Sequence, residues 1–208
     1  MAKRSYQQHC ALAKALDLVG ERWTLLLVRE LLTGPKRYKQ LIENLPGMGT
    51  NLLAARLRDL QGAELVAHDG TSYSLTERGA ELEESVVALA RWGSAALAEP
   101  IDGELWRASW NVIALKYAFR SDLAKDVVGV IEYRIDDTRV QARIKNGTIA
   151  TSAEESWKPD VVIEANGETL LALSRGELKP KEAEASGALA VSGDRRLFRS
   201  SLRVFRAK

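Results

Sequence analysis

The chain has 208 residues, of which 46% are hydrophobic and 28% charged, and its formal net charge is +2 at pH 7. These values are typical of a globular protein with one large or two small domains. The charge does not decide whether the chain binds nucleic acid, since a docking face can be basic on a nearly neutral protein. No stretch approaches the roughly 20 apolar residues that cross a membrane, and MAKRSYQQHC has no apolar run, so neither a membrane partner nor a signal peptide is expected. Cys10 is the only cysteine, which excludes an internal disulfide and indicates a cytoplasmic protein.

The first half of the chain has the pattern of short helices with one hairpin. Helices are predicted in ALAKALDLV, RWTLLLVRELLT, KQLIEN and Gly49–Leu60, and the first three are stopped by Gly20, Gly34-Pro35 and Pro46-Gly47. The segment ELVAHDGTSYSLT predicts two short strands around Asp69-Gly70. Thr76 is predicted to cap a long final helix, whose apolar stripe is Leu82, Val86, Leu89, Gly93 and Leu97. This order of elements is that of a winged helix-turn-helix.

The segment GTNLLAARLRDL has two different faces. At about 100° per residue, one arc of the helix carries Leu52, Leu53, Leu57 and Leu60, and the opposite arc carries Asn51, Ala54, Ala55 and Arg58. Small alanines let a partner surface approach the backbone, while Asn and Arg are the side chains that hydrogen-bond base edges bidentately. An ordinary amphipathic core helix is the alternative interpretation.

Two further residues of this segment have predicted roles. Arg56 falls inside the apolar arc, so its stem is expected to pack and its guanidinium to bond within the protein. Thr50 is predicted to cap the helix and to leave backbone N–H groups free for a phosphate.

The second half of the chain has the pattern of mixed strands and helices. Strands are predicted in VVGVIEYRI, VQARIK, TIATS, DVVIEA and ALAVSG, with an Asn146-Gly147 turn after the second, and in VQARIK the apolar and polar side chains alternate. Helices are predicted in the apolar segment around Trp110, in ETLLALSRG, in PKEAEASG and after the cap residue Asp194. We therefore place the domain boundary near Glu99 to Gly103, with domains at 1–99 and 103–208.

The first half resembles the HxlR-type transcriptional regulators. The residues that carry the resemblance are Cys10, LDLVGERWTLLLVRELLTGPKRYKQL, LPGMGTNLLAARLRDL, YSLTERGAEL and Trp92-Gly93. The resemblance implies a dimeric DNA-binding regulator, with Gly49–Leu60 as the recognition helix and Asp69–Ser72 as the tip of the wing. Such proteins often have AGLV after the recognition helix, whereas this chain has GAELV. The helix-ending glycine is therefore expected at Gly62, with an earlier end to the helix.

The second half resembles sterol carrier protein type 2-like domains, through PDVVIEANGETLLALSRGELKPKEAEASGALAVSGDRRLFRSSLRVF. The resemblance implies an apolar tunnel between a sheet and helices, which suits a lipid-like or aromatic ligand. The predicted fold class is α+β, with an N-terminal winged helix-turn-helix domain and a C-terminal sterol-carrier-like domain of sheet and helices. Aromatic residues are concentrated in this half, and Trp110, Tyr117, Tyr133 and Trp157 are candidates to line the ligand pocket. Filling an ordinary core is the alternative role for each of them.

Local charge supports a nucleic-acid interface in the first half. Lys36, Arg37 and Lys39 precede or begin the first helix of the helix-turn-helix, where phosphate contacts belong, and Thr50 begins the second. His68, Thr71 and Ser72 on the hairpin are candidates to contact a neighbouring groove, although short polar turns have the same composition. Double-stranded DNA is therefore the expected partner, alongside a second copy of the chain.

Cys10 has two interpretations. In the resembling family a cysteine at this place sometimes senses oxidants, which requires an exposed thiolate with a lowered pKa. The alternative, which we favour from the sequence, is a small buried residue at the dimer helix.

The sequence predicts a homodimeric transcriptional regulator, expected to be a repressor, whose second domain senses a small apolar or aromatic effector. Only His9 and His68 exist as histidines, and neither a metal-ligand cluster nor a glycine-rich phosphate loop is present. An enzyme is therefore not expected, and no catalytic residue, metal or cofactor is assigned. The alternative function is a lipid-carrier or scaffold protein in which the winged helix serves only dimerisation.

Overall fold

A computed structural model describes residues 5–96, 105, 107–153 and 156–205. The chain divides into two compact units, Met1–Val86 and Val87–Lys208. The predicted boundary at Glu99 to Gly103 lies outside the described residues, as do Leu97 and Trp106. No described helix is both long and apolar enough to span a bilayer.

The first unit has the predicted order of elements, and the helix after the hairpin extends into the second. The helices are α1 (Ala11–Val19), α2 (Thr24–Leu32), α3 (Tyr38–Asn44) and α4 (Thr50–Gly62), followed by strands β1 (Val66–His68) and β2 (Tyr73–Leu75) and by helices α5 (Glu77–Ala80) and α6 (Leu82–Gly93). The core is made of leucines from α2, α3 and α4, among them Leu27, Leu41, Leu53, Leu57 and Leu60. Burial of these apolar side chains is the main stabilising contribution to the unit.

The predicted long helix after the hairpin is instead two helices. The Thr76 hydroxyl accepts a hydrogen bond from the Gly79 N–H at 3.0 Å, as a cap residue does, but the helix that it caps ends at Ala80. Gly79 holds this short helix close to the start of β1, since a Cβ at that position would lie 2.0 Å from the Leu65 carbonyl oxygen. The prediction of one long helix was therefore wrong, because α5 packs onto the base of the hairpin before α6 begins.

The prediction for the end of the recognition helix was also wrong. The helix continues to Gly62, which is its last residue and has no positive φ, and the left-handed residue after the helix is Glu64, with φ of 58°. Glu64 therefore occupies the position at which glycine is common in the resembling proteins. A side chain with a Cβ is strained there, and the backbone bonds of the turn hold it: the Leu65 N–H donates to the Leu60 carbonyl at 2.9 Å.

The second unit is a five-stranded sheet with helices. Its elements are α7 (Asn111–Ala118), β3 (Gly129–Ile135), β4 (Thr138–Lys145), β5 (Thr148–Ser152), β6 (Val161–Ala165), α8 (Gly167–Arg175), α9 (Pro180–Ala185), β7 (Leu189–Gly193) and α10 (Arg195–Val204). The strand order is β5-β4-β3-β6-β7, and only the β3–β6 pair is parallel. Asp194 caps α10 as predicted, accepting from the N–H groups of Arg196 and Leu197 at 2.7 and 3.0 Å.

One face of this sheet packs on the helices and forms the core. Ile131 and Tyr133 on β3, Ala142 on β4 and Ile163 on β6 pack with residues of α10 such as Phe198. The alternation of β4 predicts that its polar residues lie on the other face, and the structure confirms this for Arg143 and Lys145, which are exposed. Gln141 also belongs to that face but is fully buried.

Gln141 is buried because it belongs to a closed polar network. Its amide nitrogen donates to Glu132 Oε2 at 3.0 Å and to the Trp157 carbonyl at 2.8 Å, and its amide oxygen accepts from the N–H groups of Ser156 and Trp157 at 3.0 and 2.9 Å. Glu132 lies opposite Gln141 in the β3–β4 register and is also buried. All four hydrogen-bonding positions of the Gln141 amide are thus occupied inside the chain.

The Glu132 carboxylate is held in its charged form. Burial raises its pKa, but the hydrogen bonds from Gln141 and Arg134 and the positive charges of Arg139 and Arg134 outweigh that effect, so the pKa lies below its usual value. The Arg134 Nε donates to Glu132 Oε1 at 2.9 Å, and the Arg139 Nε lies 3.4 Å from the same oxygen. This outer face of the sheet is therefore stabilised by charge pairing.

Candidate nucleic-acid interface

The helix α4 presents a small and polar outward face. Leu53 and Leu57 are buried in the core, whereas Asn51 and Arg58 are exposed. Ala54 and Ala55 are partly exposed between them, as the helical spacing requires. The four residues predicted to read bases thus lie on the outside of the helix, and their contact with DNA stays a prediction.

The two arginines of α4 have different environments. The Arg56 guanidinium lies 2.9 Å from the Glu21 carboxylate and 2.8 Å from the Asp59 carboxylate, and its side chain is 19% exposed. Its charge is neutralised within the chain, as expected from its place in the apolar arc. Arg58 forms no ion pair or side-chain hydrogen bond with any of the residues described, so its guanidinium is available to a partner.

The start of α4 differs from the prediction for Thr50. The cap position is taken by Gly49 in an extended conformation, and Thr50 is already the first helical residue, so its side chain does not cap the helix. The Thr50 carbonyl instead accepts the Tyr38 hydroxyl at 2.7 Å, which fixes the entry of α4 against α3. With no capping side chain at this end in the described structure, the first N–H groups of α4 remain available to an anion.

A buried carboxylate that the sequence did not single out positions the helix-turn-helix. Glu30 on α2 is fully buried, accepting at Oε1 from Arg29 at 2.7 Å and at Oε2 from the Asn44 side chain at 2.9 Å. Asn44 is the last residue of α3, so this network ties the end of α3 to the core helix immediately before the turn. A glutamate in an apolar helix was the only available signal for it.

The three basic residues around the start of α3 have different environments. The Lys36 backbone pairs with Tyr73 of the hairpin through two hydrogen bonds, N–H to carbonyl at 2.9 Å and carbonyl to N–H at 2.8 Å. The Lys36 ammonium donates to the Gly34 carbonyl at 3.1 Å. Arg37 is exposed before the helix, and the Lys39 ammonium lies 3.8 Å from the Glu43 carboxylate in a surface pair of little energetic weight. Lys36 is thereby placed beside the wing, which no sequence pattern indicated.

The wing tip is organised around Asp69. Its carboxylate accepts from the Thr71 and Ser72 N–H groups, both at 2.8 Å, and from the Ser72 hydroxyl at 3.0 Å. These hydrogen bonds hold the pKa of Asp69 below its usual value, so the tip carries a negative charge. The Ser72 hydroxyl is used within the turn, whereas Thr71 is exposed and the His68 ring lies 4.3 Å from that of Tyr73. His68 and Thr71 are thus exposed on the hairpin, and contact of all three wing residues with DNA stays a prediction.

Cys10 is exposed in the single chain, at the cap position of α1. The backbone N–H groups of Ala13 and Leu12 at the start of α1 lower the pKa of its thiol. The expected burial is therefore not met within one chain. Leu12 and Leu16 on the same helix are 66% and 39% exposed, so the described residues of the first unit do not cover this apolar face.

The four aromatic residues predicted to line one pocket do not come together. Tyr133 faces the core, packing against Phe205 with ring centroids 6.3 Å apart, and burial raises its pKa strongly. Trp157 lies on the opposite face of the sheet, where the Arg143 guanidinium stands 4.5 Å from its ring centroid. Trp110 and Tyr117 are half-buried, at the start of α7 and within it. A single pocket wall cannot contain both Tyr133 and Trp157, because side chains of the two faces are separated by the sheet.

A second helix packed after a tight turn, followed by a two-stranded wing, defines a winged helix-turn-helix domain. The chain belongs to the HxlR-like helix-turn-helix family, which matches residues 18–100. The transcriptional regulator sll1512 of Synechocystis is 35% identical over 92 residues, 41% of this chain and 68% of that protein. YodB of Bacillus subtilis is 33% identical over 85 residues, 38% of this chain and 76% of that regulator. The regulator MT3179 of Mycobacterium tuberculosis is 41% identical over 99 residues, and this chain spans 61% of its length.

Residues 114–206 match the SCP-2 sterol transfer family. Among solved structures, the quinone-bound YodB of Bacillus subtilis has a TM-score of 0.39 and 33% identity, covering 40% of this chain and 96% of that one. The ubiquinone synthesis protein UbiJ-SCP2 has a TM-score of 0.40 and 14% identity, covering 49% of this chain and 93% of that one. The chain thus joins a helix-turn-helix region to a second region of a different family.

Proposed function

We propose that this protein is a sequence-specific DNA-binding transcriptional regulator, and a repressor, that acts as a homodimer. The observation that carries the proposal is the outward face of α4, where Asn51 and Arg58 are exposed on either side of two alanines while the other arginine is neutralised. Such a face allows a flat surface to approach and offers the two side-chain types that read adenine and guanine edges bidentately.

Phosphate contacts are proposed for the surroundings of that face. The uncapped first turn of α4, with Thr50, would hold one phosphate, and Lys36, Arg37 and Lys39 would hold others along the backbone. His68 and Thr71 of the wing would reach a neighbouring groove. The exposed apolar face of α1 supports pairing of two chains, which would place two α4 helices about 34 Å apart on a near-palindromic site.

Regulation is proposed to come from the second region. We assign DNA binding and dimerisation to residues 1–99 and ligand binding to residues 103–208. If a small apolar or aromatic ligand and DNA favour different spacings of the two α4 helices, each weakens the binding of the other. The resemblance of residues 114–206 to a sterol transfer family supports a ligand there.

The test is a salt titration of binding to labelled duplex DNA selected from a random pool. We expect affinity to fall steeply with salt and Lys36→Ala to reduce the slope of log K against log salt by about one unit, because one phosphate contact is lost. Lys145→Ala, which removes an exposed lysine of β4 in the second unit, is the matched control and should leave the slope unchanged. A chain that is dimeric by mass but binds no duplex at low salt would overturn the proposal in favour of a carrier or scaffold.

A further inference from the structure

The second unit carries a surface cleft that the sequence did not indicate. It has a volume of about 390 Å³ and lies between α8, α10 and the turn at residues 120–123. Three arginines and three leucines contribute most of its lining: Arg120, Arg199, Arg203, Leu123, Leu173 and Leu202. We refer to this set as the arginine cleft. Its size is within the range of small-molecule sites, and its lining contains no acidic residue.

The sequence of α10 explains how the charges reach the cleft. The helix RRLFRSSLRV contains four arginines and no acidic residue. Leu197, Phe198 and Val204 are buried in the core, so Arg199 and Arg203 lie on the outer side, one turn apart. Two like charges at this spacing destabilise a helix slightly.

Arg199 acts on the Asp194 carboxylate only through its charge, which helps to lower the pKa of Asp194, and Arg203 has no partner among the described residues. Neither forms a hydrogen bond or ion pair with residues 5–96, 105, 107–153 or 156–205, whereas Arg195 on the same helix pairs with Glu184. Arg120 donates to the Asp122 carboxylate at 3.2 and 3.1 Å, and that pair is partly exposed. Two guanidinium groups therefore border the cleft with their hydrogen-bond donors unused among the described residues.

The neighbouring carbonyl and carboxylate oxygens are already hydrogen-bonded to backbone N–H groups. The last carbonyls of α8 are capped by its own turn, since the Glu177 N–H donates to the Ala172 carbonyl at 2.9 Å and the Gly176 N–H to the Leu173 carbonyl at 3.2 Å. The Asp194 carboxylate is engaged by the backbone at the start of α10. An anion attached to an apolar body would complement both the arginines and the leucines of the cleft.

We propose that the arginine cleft binds an organic anion with a short apolar tail, its acidic headgroup on Arg199 and Arg203 and its tail on Leu123, Leu173 and Leu202. This names the effector class for the second region, so its regulatory part rests on the proposed function, whereas the binding itself does not. It also changes the expected effector from a neutral apolar molecule to an amphiphilic acid.

The test is calorimetric titration of the full chain with decanoate and, separately, with decanol and with inorganic phosphate. Decanoate should bind more tightly than either, because only decanoate satisfies both the guanidinium groups and the leucines. The double substitution Arg199→Gln and Arg203→Gln should weaken decanoate binding by about tenfold for each lost charge-assisted contact. Arg196→Gln removes an exposed arginine of the same helix outside the cleft and should leave binding unchanged.

Two results would overturn the proposal. Equal binding of decanol and decanoate would show that the arginines contribute nothing to recognition. Equal losses with Arg196→Gln and with the double variant would show a diffuse basic helix face instead of a site. Titration with vesicles of phosphatidylglycerol and of phosphatidylcholine tests whether the bound acid is a free molecule or a membrane lipid. Binding to phosphatidylglycerol vesicles that persists in the double variant, with no binding of free decanoate, would also overturn the proposal.

The cleft and the proposed regulation can fail independently. DNA affinity is measured with and without decanoate in the wild type and in the double variant. If decanoate binds at the cleft and DNA affinity does not change, the binding site stands and the sensing role is wrong. If the chain binds no DNA at all, the calorimetric result still decides the cleft.

Discussion

The outward face of α4 and the outer face of the sheet both carry polar side chains, but they use them in opposite ways. On the sheet, Gln141 and Glu132 are buried and bonded within the chain. On α4, Asn51 and Arg58 are exposed, and Arg58 forms no ion pair with any described residue. Polar groups bonded internally add stability and leave nothing for a ligand, whereas unbonded ones add little stability and remain available. Removing a side chain of each kind should therefore change different measurements.

Gln141→Ala tests the sheet side of this comparison and should have the largest effect. The substitution leaves the Glu132 carboxylate short of a donor and two backbone N–H groups without their acceptor, at a cost of about 2–4 kcal/mol in the free energy of unfolding. Urea denaturation followed by fluorescence measures it. Lys145→Ala, an exposed residue on the same strand face, is the control and should change stability by less than about 0.5 kcal/mol.

Arg58→Ala tests the other side. It should weaken binding to the selected duplex by about 1–3 kcal/mol without changing the urea midpoint, because the side chain has no partner within the described chain. Arg58→Lys keeps the charge but not the bidentate geometry. This variant should therefore retain affinity for unrelated duplexes but no longer distinguish the selected duplex from them. Fluorescence anisotropy with both duplexes measures this. Wild-type affinity in Arg58→Ala would mean that another face of the domain docks on DNA.

The pH dependence of stability sharpens the comparison. The folded pKa of Glu132 lies below its unfolded value, so its contribution is fully present above the unfolded pKa and is lost as pH falls through the folded pKa. The urea midpoint of the wild type should therefore fall below about pH 4, and that fall should be smaller in Glu132→Gln. Asp69, Asp122 and Asp194 also have lowered pKa values, but they are common to both proteins and cancel in the difference.

Glu64→Gly should give the smallest change, and in the stabilising direction. Glycine at this position relieves the left-handed backbone strain at φ of 58°, but it also gives the unfolded chain more conformational freedom. The net effect should be an increase of about 0.5–1 kcal/mol in the free energy of unfolding. Glu64→Ala keeps the Cβ and should show no gain. A thermal melt of the three proteins decides it; equal melting temperatures for Glu64→Gly and wild type would mean that the strain is relaxed elsewhere.

Local patterns predicted most of the fold. The breaks after Gly20 and Gly34, the turn at Asn146-Gly147 and the cap at Asp194 follow from single residues with few conformational options, and all are present. The errors involve contacts between distant parts of the chain. The close approach of Gly79 to Leu65 divides a helix that looks continuous in sequence, and the turn bonds at Leu65 hold Glu64 in a conformation that its own preference disfavours.

The candidate site was predictable only in part. The periodicity of α4 identified which residues face outward, because burial of leucines at helical spacing determines the opposite face. Periodicity could not show that Lys36 pairs with the wing, or that Trp157 and Tyr133 lie on different faces, because both depend on sheet register. The arginines of α10 were visible in the sequence, but the cleft beside them depends on where α8 ends.

The backbone pairing of Lys36 with Tyr73 has a consequence for motion. Two hydrogen bonds join the segment before α3 to the second strand of the wing, so the hairpin cannot swing without breaking both of them. The amide protons of Lys36 and Tyr73 should then exchange with solvent far more slowly than those of Gly70 and Thr71 at the tip. A wing fixed in this way keeps a constant distance from α4. If both contact DNA as proposed, the duplex would have to adapt its groove width to the protein, and sequences that deform easily at that position would bind more tightly.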